Sequence, residues 1–174
     1  MTITRWLRLG VVALVGLALV PATSRAQGKD LEAKLPDPVK KTFRAQFPKA
    51  EIEKLDVDKE NGVTVYDLEF KDGEVEKEAD IAADGTMLEF TIVIAAKDVP
   101  AAAMKPIRNA AAGATMGRIE RIEISYETKD GKAIKLPKPV THYAVELSKG
   151  TQSAEIVVSP DGQVLEPAKW DNGK

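Results

Sequence analysis

Residues 63–89, VTVYDLEFKDGEVEKEADIAADGTMLE, and residues 140–166, VTHYAVELSKGTQSAEIVVSPDGQVLE, are two versions of one stretch. At a shift of 77 they agree without a gap at ten of 27 positions, among them Tyr66/Tyr143, Glu69/Glu146, Gly73/Gly150, Glu78/Glu155, Asp84/Asp161 and Gly85/Gly162. A likeness of this length marks one supersecondary unit used twice. Upstream, IEKLDVDKE (Ile52 to Glu60) matches IERIEISYE (Ile119 to Glu127) at a shift of 67, and a shift of 64 aligns Pro36 with Pro100, Arg44 with Arg108 and Ala50 with Ala114. The shift grows by three residues near Gly113 to Arg118 and by ten between Thr128 and Pro139, so those additions are expected in loops between conserved-length elements.

Each copy opens on a helical pattern. Asp37 is the expected N-cap and Pro38 the first helical residue, with Val39, Phe43 and Phe47 at four-residue spacing until Pro48. In the second copy Pro100 starts the helix, Met104 and Ile107 supply its apolar stripe, and Pro106 predicts a kink or a late start. Alternation at period two follows, predicting strands near 52–59, 63–70, 74–82, 87–94, 119–128, 140–148, 151–159 and 163–167. Asn61-Gly62, Asp72-Gly73, Asp84-Gly85 and Asp161-Gly162 are the expected turns. The fold class is therefore α+β: two tandem units, each a helix plus a four-stranded antiparallel meander, sharing one sheet of about eight strands with both helices on one face. The expected core face carries Leu55, Val57, Tyr66, Leu68, Phe70, Ala79, Ile81, Leu88, Phe90 and Ile92, then Ile122, Ile124, Tyr143, Val145, Leu147, Ile156, Val158 and Leu165.

The pattern Leu35-Pro36, Val39, Phe43, Phe47-Pro48, then Tyr66 to Phe70, Gly73 and Asp84 to Leu88, resembles the PepSY-like family of exported proteins. It is similar to the fold of the β-lactamase inhibitor proteins over about residues 31–168. The resemblance implies a non-catalytic periplasmic or secreted module that binds or inhibits another protein. It carries over no functional residue, and this chain has none of the cysteines that hold those inhibitors together.

The start of the chain has the three-part plan of a secretory signal peptide: Arg5 and Arg8, an apolar run from Leu9 to Val20, and Ser24-Arg25-Ala26 after Pro21. Cleavage is expected after Ala26, followed by a flexible segment at 27–34, units at 35–96 and 97–168, and a tail at 169–174. The whole chain has 25 basic and 27 acidic residues; without the first 26 it has 22 and 27. That balance, with 5% aromatics, disfavours a nucleic-acid partner. The lack of cysteine excludes disulfides and thiolate chemistry, and no hydrolase elbow, phosphate loop or zinc-protease motif occurs. His142, the single histidine, sits where the first copy has Val65 and reads as structural. No catalytic residue, metal site or cofactor is expected.

Two surfaces are candidates for partner binding. Strand alternation places Asp56, Asp58, Asp67, Glu69, Glu76, Glu78, Asp80 and Glu89 together on the first copy's outer face, with Lys54 as the one offsetting cation. The equivalent face of the second copy has Glu123, Glu146, Glu155 and Glu166 with Arg121 and His142. The insertion Thr128 to Pro139 carries Lys129, Lys132, Lys135 and Lys138 around Ile134 and Leu136. Asp67, Glu69, Glu76 and Glu78 are the expected charge contacts, and Lys132, Lys135 and Leu136 the expected loop contact. The function expected is an exported binding or inhibitory module for a protein or peptide, with cation (calcium) binding or buffering on the acidic face as the alternative. Asp56 to Asp67 fails the helix-loop-helix calcium pattern, because Asn61 and Asp67 occupy the positions that need Gly and Glu.

Overall fold

The structure, a computed structural model, describes residues 24–172. Most of the expected leader lies outside the described residues, and among these no helix is long and apolar enough to cross a membrane. The helices are α1 (Ser24–Ala33), α2 (Asp37–Gln46) and α3 (Ala101–Ala110). The strands are β1 (Glu51–Glu60), β2 (Val63–Asp72), β3 (Val75–Ala82), β4 (Met87–Val93), β5 (Thr115–Lys129), β6 (Lys132–Lys149), β7 (Gln152–Val158), β8 (Val164–Glu166) and β9 (Asp171–Asn172). Strands β1 to β8 pair in chain order, every pair antiparallel, and β9 adds to the other end of β7. Pairing of β4 with β5, from Glu89↔Ile124 to Val93↔Glu120, makes the two meanders one sheet.

Both α2 and α3 cover the same face, because each brings an apolar stripe that the sheet must bury. Under α2, Val39, Phe43 and Phe47 pack on Ile52, Leu68, Phe70, Ala79 and Ile81. The Phe43 and Phe70 rings meet edge-on at 4.9 Å, and Phe47 stacks on Phe90 at 5.5 Å. Under α3, Ala103, Met104 and Ile107 pack on Ile119, Tyr143, Val145, Leu147, Ile156 and Val158.

The repeat is visible in the joints as well as the elements. Each helix follows a proline, Pro36 or Pro100, that takes the N-cap position without a side-chain cap, so Asp37 is the first helical residue rather than the cap. The turns at Gly85 and Gly162, both at positive φ, press against the first turns of α2 and α3. A side chain at Gly85 would come within 2.9 Å of the Pro38 carbonyl oxygen, and one at Gly162 within 2.5 Å of the equivalent oxygen of Ala102. In unit 1 the Thr42 hydroxyl also donates to the Gly85 carbonyl at 2.7 Å. Its counterpart in unit 2 is Pro106, and α3 continues through it to Ala110 instead of starting late. Proline removes the bond to the carbonyl four residues back, which here is that of Ala102, the group facing Gly162.

Three expectations are corrected. Residues 27–33 of the segment expected to be flexible lie in helix α1: Leu31 packs on the unit 1 core, Gly28 is buried against the Ile52 carbonyl, and Glu32 binds Arg44. Ile122 and Ile124 lie on the face opposite the helices, with Ala144, Val157 and Leu136, whereas Arg121 and Glu123 pair with Ile92 and Phe90 on the helical face. The cause is a bulge in β1 between Ile52 and Lys54 that restores Leu55 to the helical face. Strand β5 has no bulge between Ile119 and Ile124, so the aligned isoleucines turn over. A bulge in β3–β4 likewise sends Leu88 to the open face, beside Val63, Val65 and Ala82. Val57 and Leu165 are exposed, at 53% and 38%, because they lie on the edge strand β1 and the short β8.

The third correction concerns the insertion. Thr128 to Pro139 is no separate loop but the far end of the β5–β6 hairpin, closed by a two-residue turn at Asp130-Gly131. That tip meets the equivalent turn of unit 1: the Gly131 N–H donates to the Asn61 carbonyl at 2.7 Å, and Asn61 Nδ2 donates to the Thr128 carbonyl and hydroxyl at 3.0 Å. A side chain at Gly62 would stand 3.1 Å from the Gly131 Cα. Tyr126 and Ala133 thereby cover Val63, Val65, Ala82 and Leu88. The long hairpin is a strap across one end of the open face.

Candidate functional site: the open face of the sheet

Among the described residues no helix covers the second face of the sheet, and its side chains divide by unit. At the positions where unit 2 has Ala144 and Val157, both buried under Leu136, unit 1 has Asp67 and Asp80. Asp67 pairs across the strands with Asp80, and Asp80 with Glu89; Glu69 pairs with Glu78. Like charges in cross-strand register repel, so their surroundings must offset them.

Two cations offset part of the charge on this face. Lys54 Nζ lies 2.8 Å from Glu69 Oε1 and 2.9 Å from Asp56 Oδ2, and these hydrogen bonds, that of Asp56 first, hold its pKa above the ordinary lysine range. Arg118, on β5, reaches back across the unit boundary: Nε donates to Glu120 Oε1 at 2.6 Å and Nη1 to Glu76 Oε2 at 3.0 Å. Burial alone would lower the Arg118 pKa, but attraction and hydrogen bonding to Glu120, with Glu76 and Glu78 nearby, raise it. Glu146 is pushed the other way: burial, then repulsion by Glu120, raises its carboxyl above the usual range despite Arg118.

The sequence-predicted residues fall into place unevenly. Asp67 is buried, at 2% exposure, and its carboxylate lies within 4.8 Å of those of Glu78 and Asp80. Glu69 and Glu76 are on the same face but engaged by Lys54 and Arg118. Lys132 and Lys135 are exposed on the strap, while Leu136 packs inward beside Ile122 and Ile124. His142 is opposite Ile122, in a row with Thr91 and Glu78 rather than beside a nucleophile. Asn61-Gly62 is a hairpin turn. A cleft of about 430 Å³ is lined by Gly131 to Ala133 of the strap and by Val63, Thr64 and Ala82 to Asp84.

Sequence reading missed Arg118, Glu120 and the contact of the Asn61 turn with the strap. Arg118, Glu120 and Ile122 alternate, which signals one face, but the isoleucine spacing of IERIEIS fits either face equally well.

The family model described as "Putative beta-lactamase-inhibitor-like, PepSY-like" matches twice, over residues 26–88 and 64–166. The chain belongs to the PepSY-like family. Solved structures share the PepSY-like chain's fold at low identity. A protein from Bacteroides eggerthii described as "putative periplasmic" superposes with a TM-score of 0.60 at 14% identity, covering 79% of this chain and 90% of that one. A DUF2874 family protein from Bacteroides uniformis gives 0.57 at 14% identity, covering 78% and 88%. A BLIP-like protein from Bacteroides fragilis gives 0.52 at 15% identity, covering 80% and 89%. No curated protein matches.

Proposed function

We propose that this PepSY-like chain is an exported, non-catalytic binding or inhibitory module that holds a segment of a protein or peptide partner against the open face of its sheet, in the periplasm or outside the cell. The observation that carries the reading is the charge on that face. Asp67, Glu69, Glu76, Glu78, Asp80 and Glu89 gather on the face of the sheet that no described helix covers, and the exposed Lys132 and Lys135 lie on the strap. Opposed charges of this kind set orientation and association rate more than affinity. The partner segment is therefore basic where it meets Glu69 and Glu78 and acidic near the strap. The family description and the similar BLIP-like structure support a binding role, and the similar "putative periplasmic" structure supports the location.

The test is affinity capture from a periplasmic or secreted extract with wild type, Glu69→Lys/Glu78→Lys and Lys132→Glu/Lys135→Glu. Reversals leave the apolar cover of Leu136 and Ala133 in place, which a deletion of the strap would not. Wild type is expected to retain a protein that each reversal loses. Retention of the same proteins by all three would sink the reading.

A second reading is cation binding, favoured by the carboxylates of Asp67, Glu78 and Asp80 within 4.8 Å of one another. Calcium takes oxygen ligands of this kind, and binding only to the folded state raises apparent stability. Millimolar calcium should then raise the Tm of wild type by several degrees and that of Asp80→Asn much less. Equal behaviour of the two proteins would remove this reading and leave the first untouched.

A further inference from the structure

The two units differ at one matched arginine. In unit 1, Arg44 on α2 is satisfied on every side: Nε and Nη2 grip the Glu32 carboxylate of α1 at 2.8 and 2.5 Å, and Nη1 donates to the carbonyls of Phe47 and Ala50 at 3.2 and 2.8 Å. The fork of the guanidinium matches a carboxylate in this two-bond arrangement. Helix α1 brings that carboxylate together with Leu31, which packs on the core beside it. The shift of 64 that aligns Pro36 with Pro100, the residues opening α2 and α3, places Arg108 where unit 1 has Arg44 and Lys105 where it has Lys41.

Nothing equivalent to α1 precedes α3. The chain arrives from β4 through a short 3₁₀ turn, Ala96–Asp98, and Arg108 is exposed, with no ion pair to any described residue. Beside it is a cleft of about 530 Å³ on the helical side of the molecule, away from the open face. Lys97, Lys105 and Arg108 line it, no carboxylate does among the described residues, and the buried side chains of Val99 and Met104 contribute apolar surface.

We propose that this cleft binds an acidic peptide segment of another protein, with a Glu or Asp carboxylate in the fork of Arg108 and an apolar neighbour over Val99 and Met104. The bound segment repeats in trans what Glu32 and Leu31 of α1 do in cis. Lys97 and Lys105 add attraction along the cleft. The surface lies away from the open face and shares no residue with it or with the strap, so the two proposals fail separately.

Fluorescence anisotropy with a fluorescein-labelled peptide of repeating Ala-Leu-Glu tests it on the intact protein. Wild type is expected to bind, with Arg108→Glu/Lys105→Glu at least about tenfold weaker, as the loss of a charge-assisted two-bond contact plus a second cation requires. Both positions are exposed, so the fold is retained, which an unchanged Tm would verify. The same peptide with Gln for Glu is expected not to bind, and Lys132→Glu/Lys135→Glu on the strap is expected to bind as wild type does. Failure of wild type to bind, equal binding by the Arg108 variant, equal binding of the Gln peptide, or loss on reversing the strap would each overturn the proposal.

Discussion

Gly162→Ala should destabilise the protein by about 2–4 kcal/mol, more than the same change at any solvent-open turn. Two costs add. Residue 162 is at φ +91, where an L side chain strains the backbone by roughly 1–2 kcal/mol. The new methyl would also stand 2.5 Å from the Ala102 carbonyl oxygen, a backbone atom of α3 that a rotamer change cannot move aside. Relief requires α3 to lift from the sheet, which opens the core around Ala103 and Ile107. Gly73 isolates the first cost: its φ is +68 and nothing lies within 4 Å, so Gly73→Ala should lose only about 1–2 kcal/mol. Gly85→Ala, at 2.9 Å from the Pro38 oxygen, should fall between them. Urea unfolding of the three variants checks the order, and a Gly162 variant no worse than the Gly73 variant would show that the turn does not fix the helix.

That geometry also explains how much of the fold was legible. The tight turns and helix-opening prolines recur in both copies because each joint needs a particular backbone, and residues that serve backbone geometry repeat visibly. Side-chain facing is different, since it depends on bulges that insert one residue without a sequence signature. Ile122 aligns with Leu55 yet faces the other way, because only β1 carries the bulge after Ile52. The same limit hid the strap. Lys129 to Lys138 read as an inserted loop offering a partner contact, whereas the residues that dock it are Asn61, Gly62, Tyr126 and Ala133, sixty or more residues apart in sequence for the hydrogen-bonded pair Asn61 and Thr128. Of the site, the acidic register of β2 and β3 was legible from alternation alone. Arg118 was not, because its partners Glu76 and Glu120 come from different units.

Arg118→Ala should cost about 2 kcal/mol at neutral pH, and most of that loss should vanish in acid. That cost lies between a surface ion pair, worth under about 1 kcal/mol, and a broken buried pair, at about 3–5 kcal/mol. Arg118 is partly buried, with side-chain exposure of 28%, and Glu120 more so, at 12%. Without the guanidinium, Glu76 and Glu120 lose their ion pair, and the repulsion between Glu120 and Glu146 is no longer countered by Arg118. The sign with pH follows from Glu146. Its carboxyl is already raised by burial and by Glu120, so the folded chain holds this proton more tightly than the unfolded one. A raised carboxyl favours folding below the ordinary glutamate value near 4.3 and loses that contribution as pH climbs through the folded-state pKa. Removing Arg118 raises Glu146 further. The deficit of the variant should therefore be largest at neutral pH and shrink as pH falls toward about 4. A loss due only to missing packing would be the same at both ends, and Arg118→Lys, which keeps the charge but not the fork, should sit between the variant and wild type. The open-face reading adds a second consequence. Arg118 occupies, from within the chain, the position that a partner's basic side chain would take beside Glu76 and Glu78. The Ala variant should then be less stable alone yet bind a basic segment more tightly, and a variant that loses both stability and partner would place Arg118 in the contact itself.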